Sequence, residues 1–160
     1  MARWAPRVTH GPVLDVACGE GRHARFFAEK NFEVVAVDRQ SPSLSFPSNV
    51  QFVKADLEGG APWPFADRKF GAVVVTNYLH RPLFPHLAAT LDEGGVLIYE
   101  TFMLGNERFG RPSNPDFLLR PGELKEAFAS LKILGFEEGE FARPKPAMLQ
   151  RICVLKTSRM

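Results

Sequence analysis

The chain has 160 residues, 45% of them apolar and 24% charged, with a formal net charge of +2. This size predicts one domain, residues 1–160, around a single core, and it excludes a disordered chain and a two-domain enzyme. The sequence has no run of the ~20 apolar residues that a membrane-spanning helix needs, and it has no secretory signal, so we expect no association with a membrane. It also lacks a dense Lys/Arg stripe, but a nucleic-acid partner stays open.

Short apolar runs alternate with turns and helical segments along most of the chain. Five of these runs are predicted as buried parallel strands: residues 13–17, 34–37, 50–53, 72–75 and 96–99. Residues 22–30 have apolar residues at helical spacing, and residues 83–91 predict a helix that follows Pro82. The links 39–49 and 58–69 contain several Pro or Gly residues and predict little regular structure.

The pattern changes after the fifth run. Residues 102–120 form a long connection rich in Gly, Asn and Pro, and residues 121–131 predict an amphipathic helix. Residues 133–141 and 148–155 predict two strands, which must pair antiparallel because a parallel crossover needs a dozen or more residues. The fold class is therefore α/β, with a mostly parallel sheet that ends in an antiparallel hairpin.

The turn after the first strand has the spacing of a nucleotide-binding loop. Gly19, Gly21 and Ala24 match the pattern G-x-G-x-x-A, and the helix start that follows offers free N–H groups to a pyrophosphate or to a methionine carboxylate. Both a dinucleotide and S-adenosylmethionine (SAM) fit this turn. Asp15 inside the strand, the closing hairpin and the lack of room for a substrate domain favour SAM.

Residues 13–21 resemble motif I of the class I SAM-dependent methyltransferases, and the resemblance runs through nearly the whole chain. It implies a Rossmann-like sheet of seven strands in the order 3-2-1-4-5-7-6, with strand 7 antiparallel and helices on both faces. Asp38 resembles the acid that holds the ribose hydroxyls, and residues 54–57 resemble the adenine-binding segment. The resemblance implies ten cofactor-binding residues: Asp15, Ala17, Cys18, Gly19, Gly21, Asp38, Arg39, Asp56, Leu57 and Asn77.

The same resemblance locates the methyl acceptor beside residues 76–83, which would line the methionine end of SAM. Tyr78, His80 and Glu100 are the catalytic candidates. His80 can act as a base near neutral pH or simply pack at a helix start. Arg81 is a candidate for binding an acidic acceptor, with pairing to a nearby carboxylate as the alternative.

The long connection is similar to that of small bacterial methyltransferases of the tellurite-resistance type. It adds Asn106 and Arg108 as substrate-binding candidates. The alternative is a surface loop that Phe109 and Phe117 hold in place.

Most members of the resembled family have a helical segment before motif I that covers the cofactor. Here twelve residues precede Val13, so we expect a reduced lid and an open site that a second copy of the chain or a partner subunit would complete. Trp4 and His10 are the N-terminal residues expected near the ligand.

The resemblance implies methyl transfer from SAM to an unidentified acceptor, with S-adenosylhomocysteine (SAH) as the product and no metal. A small-molecule acceptor is the leading hypothesis; methylation of RNA or protein, and a regulatory subunit that binds SAM without catalysis, are the alternatives. The sequence motifs for amino methylation of nucleic acids and carbon-5 methylation of pyrimidines are missing, as is the acidic cluster of magnesium-dependent enzymes. Cys18 and Cys153 lack metal-ligand spacing and indicate a reducing cytoplasm.

Overall fold

The computed structural model describes residues 1–142 and 144–157. Its strands are β1 (Val13–Val16), β2 (Val34–Asp38), β3 (Val50–Lys54), β4 (Phe70–Thr76), β5 (Leu91–Phe102), β6 (Lys132–Phe141) and β7 (Ala147–Leu155). Its α-helices are α1 (Arg22–Glu29), α2 (Phe84–Ala89) and α3 (Glu123–Ala127). Short 3₁₀ helices cover Ala5–Arg7, Arg81–Leu83, Asn106–Arg108 and Pro115–Phe117.

The seven strands form one sheet in the order β3-β2-β1-β4-β5-β7-β6. The first five pair in parallel, whereas β7 runs antiparallel to both β5 and β6. This confirms the predicted fold class, strand order and closing hairpin. The central strands are almost wholly apolar because helices cover both of their faces, so neither face needs polar side chains.

Side chains alternate between the two faces of the sheet and build a core on each. Leu14 packs into the core beneath α2 and α3, together with Tyr99 and Phe128. Val13, its neighbour, packs into the opposite core with Phe27 of α1. Because α1 is held by its buried face, its first turn stays at the carboxyl end of β1, where the glycine turn ends.

Two predicted elements differ from the structure. The helix predicted over 83–91 is divided into a 3₁₀ turn and α2, and β5 already begins at Leu91. The strand predicted over 96–99 is longer, since Gly94 and Gly95 also lie within β5, at an irregularity in its pairing with β4. A Cβ on Gly95 would lie 2.9 Å from the carbonyl oxygen of Phe70, so glycine serves a close strand approach there.

The helix predicted over 121–131 is only the five residues of α3. The apolar residues that suggested a longer helix are nevertheless buried, since Leu124 and Phe128 are fully inaccessible to solvent. The spacing of these apolar residues therefore predicted correctly which side of the segment faces the core, but it did not predict the length of the helix. Among residues 1–142 and 144–157, no helix is long and apolar enough to cross a membrane.

Candidate functional site

A cavity of about 700 Å³ lies over the carboxyl ends of β1 to β5. This volume is within the range of cavities that hold a drug-sized ligand or cofactor. Eight predicted site residues line it: Ala17, Gly19, Asp38, Arg39, Asp56, Leu57, Asn77 and Tyr78. They come from the ends of four neighbouring strands, where open α/β sheets bind their ligands.

The glycine turn depends on backbone conformations that other residues rarely adopt. Gly19 has φ +57°, and a Cβ placed on it would meet no atom within 4 Å, so its open side faces the cavity. Gly21 has φ +88°, and a Cβ there would collide with the ring of Phe46. Gly21 therefore serves packing at the start of α1, whereas Gly19 leaves room for a ligand.

Asp38 connects the end of β2 to this turn. One carboxylate oxygen accepts a hydrogen bond from the backbone N–H of Gly19 at 2.8 Å, and the other accepts from that of Gln40 at 3.1 Å. Each carboxylate oxygen can accept two hydrogen bonds, so both retain a lone pair for a ligand on the cavity side. The carboxylate is thereby held in one orientation before any ligand binds.

Asp56 has a similar setting after β3. Its carboxylate accepts the backbone N–H of Glu58 at 2.9 Å, a local turn that orients the side chain. The remaining acceptor positions of Asp56 are available to a donor in the cavity, which Asp56 and Leu57 both line.

Asp15 supports the turn from beneath and does not line the cavity. It is 2% exposed and accepts the backbone N–H of Ala24 at 3.0 Å, which ties the first turn of α1 to β1. Burial, assisted by the charge of Asp38, raises the pKa of Asp15 to about 7, although the Ala24 hydrogen bond acts in the opposite direction.

Cys18 also lies behind the cavity. Its thiol is 3.6 Å from the carbonyl oxygen of Gly19, and burial raises its pKa to about 12. The thiol therefore stays protonated at neutral pH, which does not suit a nucleophile.

Three residues other than glycine have positive φ in the part of the chain that the structure describes: Asn31, which follows α1, and Ala17 and Asn77, which both line the cavity. Ala17 follows β1 and Asn77 follows β4, each with φ 54°. This conformation is unfavourable for alanine and is tolerated better by asparagine. Backbone outliers of this kind cluster at ligand sites, and here Ala17 and Asn77 follow the two central strands.

Tyr78 and His80 both lie beside Glu58. The Tyr78 hydroxyl donates to one Glu58 carboxylate oxygen at 3.0 Å, and His80 Nδ1 is 3.7 Å from the other. Burial, together with the hydrogen bond to Glu58, raises the pKa of Tyr78 above its usual value. Tyr78 therefore stays protonated at neutral pH and donates its hydrogen bond to Glu58, while His80 lines a smaller neighbouring cavity of about 220 Å³.

Glu100 lies outside the large cavity. It forms a close ion pair with Arg151 of β7, and both residues line a separate cavity of about 460 Å³. Asn77 and Phe102 line this second cavity as well as the first, so the two adjoin.

The three predicted substrate-binding residues bind other parts of the protein. Arg81 pairs with Glu123 at 2.6 Å and donates to the carbonyl oxygens of Asp116 and Leu118. Burial alone would raise the pKa of Glu123, but hydrogen bonds from Arg81 and from the Arg120 backbone outweigh it and lower the pKa.

Asn106 and Arg108 likewise lie apart from the large cavity. Asn106 is 2% exposed, donates to the Pro112 carbonyl oxygen and accepts the Met148 N–H, both at 3.0 Å. Arg108 is exposed, and its guanidinium group lies 3.7 Å from the carboxylate of Glu140.

The expectation that Trp4 and His10 lie near the ligand is wrong. The ring of Trp4 packs beside Gly135 of β6, on the α1 face of the sheet, and the His10 backbone contacts Gly71 at the start of β4. The amino end of β4 is opposite to the edge that carries the cavity. Among N-terminal residues, Met1 and Ala2 line the second cavity instead.

Half of the residues that line the large cavity were not predicted individually as site residues: Gln40, Ala55, Glu58, Leu79, Thr101, Phe102, Pro112 and Phe117. Glu58 was detectable in principle, because it follows Asp56 by two residues at a strand end. Pro112 and Phe117 had no local signal, since the folding of the long connection brings them over the sheet.

The sequence model of the methyltransferase domain family matches residues 13–95, just over half of the chain. No curated protein sequence matches the chain significantly. Many solved structures share its fold, and three of them illustrate it. TehB from Haemophilus influenzae has a TM-score of 0.75 at 15% identity, over 98% of this chain and 61% of TehB, so the chain spans 61% of that protein's length.

The glycopeptide N-methyltransferase MtfA, complexed with SAH, has a TM-score of 0.65 at 19% identity, over 97% of this chain and 87% of MtfA. The 1,6-didemethyltoxoflavin-N1-methyltransferase of Burkholderia thailandensis, with its acceptor and SAH bound, has a TM-score of 0.69 at 18% identity, over 97% of this chain and 75% of that enzyme. The family match and the strand order agree: the chain belongs to the methyltransferase domain family and has the fold of the class I SAM-dependent methyltransferases.

Proposed function

We propose that the chain binds SAM in the large cavity and transfers its methyl group to a small-molecule acceptor, releasing SAH. The observation that carries this proposal is the shared cavity of Gly19, Asp38 and Asp56, in which both carboxylates retain free acceptor positions. MtfA has been crystallised with SAM, SAH and sinefungin, which supports the same cofactor class here.

The residues fit this cofactor in size and in donor chemistry. Asp38 would accept both ribose hydroxyls, because its two oxygens are oriented by backbone N–H groups and retain lone pairs. Asp56 would accept the adenine amino group beside Leu57. The methionine end would lie toward Gly19 and Asn77, where the backbone leaves open space.

SAM supplies a methyl group that is already activated on a sulfonium sulfur. The protein's contribution is therefore largely to hold the two reactants in line, which is worth roughly 7–11 kcal/mol in well-oriented reactions. Tyr78, protonated and bound to Glu58, would be a fixed hydrogen-bond donor at the edge of this site rather than a base.

Two of the similar structures support a small acceptor, since their names give a glycopeptide and 1,6-didemethyltoxoflavin as substrates. A cytoplasmic location is part of the proposal. It is supported by the free thiols of Cys18 and Cys153, which are not joined in a disulfide.

Calorimetric titration with SAH tests the cofactor assignment. We expect micromolar binding by the wild type and none of NAD. Asp38→Ala should weaken SAH binding about 10- to 100-fold, because hydrogen bonds to a charged acceptor are worth about 1.5–3 kcal/mol.

Asp67→Ala is the matched control, because it removes an exposed carboxylate that does not line the cavity. Its affinity should equal that of the wild type, and thermal melts should show both variants folded. Binding of NAD in place of SAH by the wild type would refute the proposal.

A further inference from the structure

The second cavity adjoins the cofactor cavity at Asn77 and Phe102. The backbone N–H of Asn77 donates to the carbonyl oxygen of Glu100 at 2.9 Å, so the ends of β4 and β5 are held together at this boundary. A molecule in the second cavity would therefore meet the methionine end of a cofactor in the first.

The walls of the second cavity are largely apolar and include two aromatic rings. The apolar lining residues are Met1, Ala2, Phe26, Phe102, Pro144, Ala147 and Leu149. Its volume of about 460 Å³ suits a small molecule and not a folded macromolecule. An occupant of this cavity gains most of its binding free energy by burying apolar surface, preferably a flat ring system.

The charged lining of the cavity disfavours a cation. Arg22, Lys145 and Arg151 line it, against a single carboxylate, Glu100. His23 adds no charge at neutral pH, because burial and the neighbouring Arg22 lower its pKa to about 4. An aliphatic amine, which is protonated at neutral pH, would be repelled and would have no free lone pair.

Glu100 is the carboxylate in this cavity that can accept a hydrogen bond from a neutral nucleophile. Its ion pair with Arg151 holds the carboxylate at the cavity wall, and Arg151 is itself held over the ring of Phe141 at 3.9 Å and within 4.0 Å of Glu137. Arg151 is thus a positioning residue for Glu100.

We propose that the second cavity holds the methyl acceptor, a flat, uncharged, largely apolar molecule that presents an aromatic N–H or a phenolic O–H to Glu100. This inference rests on the proposed function, because it requires SAM in the first cavity. It assigns Glu100, not His80 or Tyr78, as the residue that contacts the reacting group.

The methyl transfer takes place at the Asn77–Phe102 boundary. The bonding pair that the departing N–H or O–H proton leaves on nitrogen or oxygen forms the new bond to the methyl carbon, the bond from that carbon to sulfur breaks, and its electron pair stays on sulfur as SAH forms. The acceptor's N–H or O–H proton passes to the Glu100 carboxylate and from there to water.

Ligand-observed NMR titrations of the SAH-saturated protein test the role of Glu100. The probes are benzimidazole and phenol, each paired with its methylated counterpart, N-methylbenzimidazole and anisole. The wild type should bind the N–H and O–H probes roughly 10-fold more tightly than their counterparts, since only they donate to a carboxylate. Glu100→Leu should abolish this difference, an effect that a purely structural role of Glu100 would not produce.

A second variant tests the location. Leu149→Trp would fill the cavity and abolish probe binding while SAH affinity stays within about 2-fold of the wild type. Leu44→Trp, at a position 71% exposed and outside both cavities, is the matched control and should bind probes and SAH normally. The Glu100→Leu result does not depend on the folding of Leu149→Trp.

The outcomes separate the two proposals. If the wild-type protein does not bind SAH, the proposed function is refuted. If SAH binds but no probe does, or if probes bind Leu149→Trp unchanged, the acceptor assignment is overturned. A loss of SAH affinity confined to Leu149→Trp would overturn it too, because the second cavity would then hold part of the cofactor.

Discussion

The turns after β1, β2 and β3 and the long connection after β5 use polar residues in opposite ways. Backbone N–H groups of the turns after β1, β2 and β3 orient Asp38 and Asp56, which retain acceptor positions toward the cavity. Asn106 uses its amide oxygen and nitrogen for Met148 and Pro112, and Arg81 is bound to Glu123. A polar residue in a functional-looking loop therefore need not be free to bind anything.

The physical reason is the demand for backbone hydrogen bonds. Asp38 and Asp56 lie at strand ends, where sheet pairing and short local turns satisfy most of the backbone, so their side chains are available. Residues 103–122 have few such partners, and side chains such as those of Asn106 and of Arg81, which follows β4, must supply them. Loop length and polarity alone do not distinguish the two uses.

Arg81→Met is the strongest test of this contrast. It leaves Glu123 buried without its main partner, and we expect the free energy of unfolding to fall by about 3 kcal/mol, at the lower end for broken buried pairs because Arg81 is partly exposed. Urea denaturation measures the loss. Arg120→Met is the matched control, since Arg120 is 65% exposed and 3.8 Å from the same carboxylate, and it should change stability little. If Arg81→Met is as stable as the wild type, the pairing with Glu123 is not needed for folding, and Arg81 is again a candidate for substrate binding.

Asp15→Asn tests the turn after β1, which the buried carboxyl group of Asp15 supports through its hydrogen bond with Ala24. Because burial raises the pKa of Asp15 from 3.8 to about 7, its contribution to wild-type stability is full below pH 4 and is lost as the pH rises through 7. The amide that replaces this carboxyl group does not titrate, so the variant should gain stability relative to the wild type between pH 5 and pH 8, by roughly 2 kcal/mol. Urea denaturation at both pH values checks this. An identical pH dependence of the two proteins would show that Asp15 is ionised throughout.

Arg108→Ala should have the smallest effect. Arg108 and Glu140 are 59% and 60% exposed, and an exposed ion pair contributes at most about 1 kcal/mol. We expect stability within about 0.5 kcal/mol of the wild type and an unchanged SAH affinity in calorimetry. A large loss of SAH binding would show that the long connection reaches the cofactor.

The sequence predicted the sheet well, because apolar runs bounded by Gly, Pro and acids mark buried parallel strands locally. It also predicted Gly19, Asp38 and Asp56 at one edge, since parallel strands place their carboxyl ends together. It predicted the length of α1 closely and those of α2 and α3 poorly. The apolar spacing around Leu124 and Phe128 reports burial, which an irregular segment achieves as well as a helix does.

The fold and the sheet edge that carries the large cavity follow from the sequence alone, because Gly19, Asp38 and Asp56 each lie just after a predicted strand. Tertiary structure alone decided which polar side chains are free and which are bound within the protein. Glu100 illustrates this: its partner Arg151 lies 51 residues further along the chain, and only the antiparallel pairing of β5 with β7 brings the two together. Contacts of that range depend on how the whole sheet assembles, so no local pattern contains them.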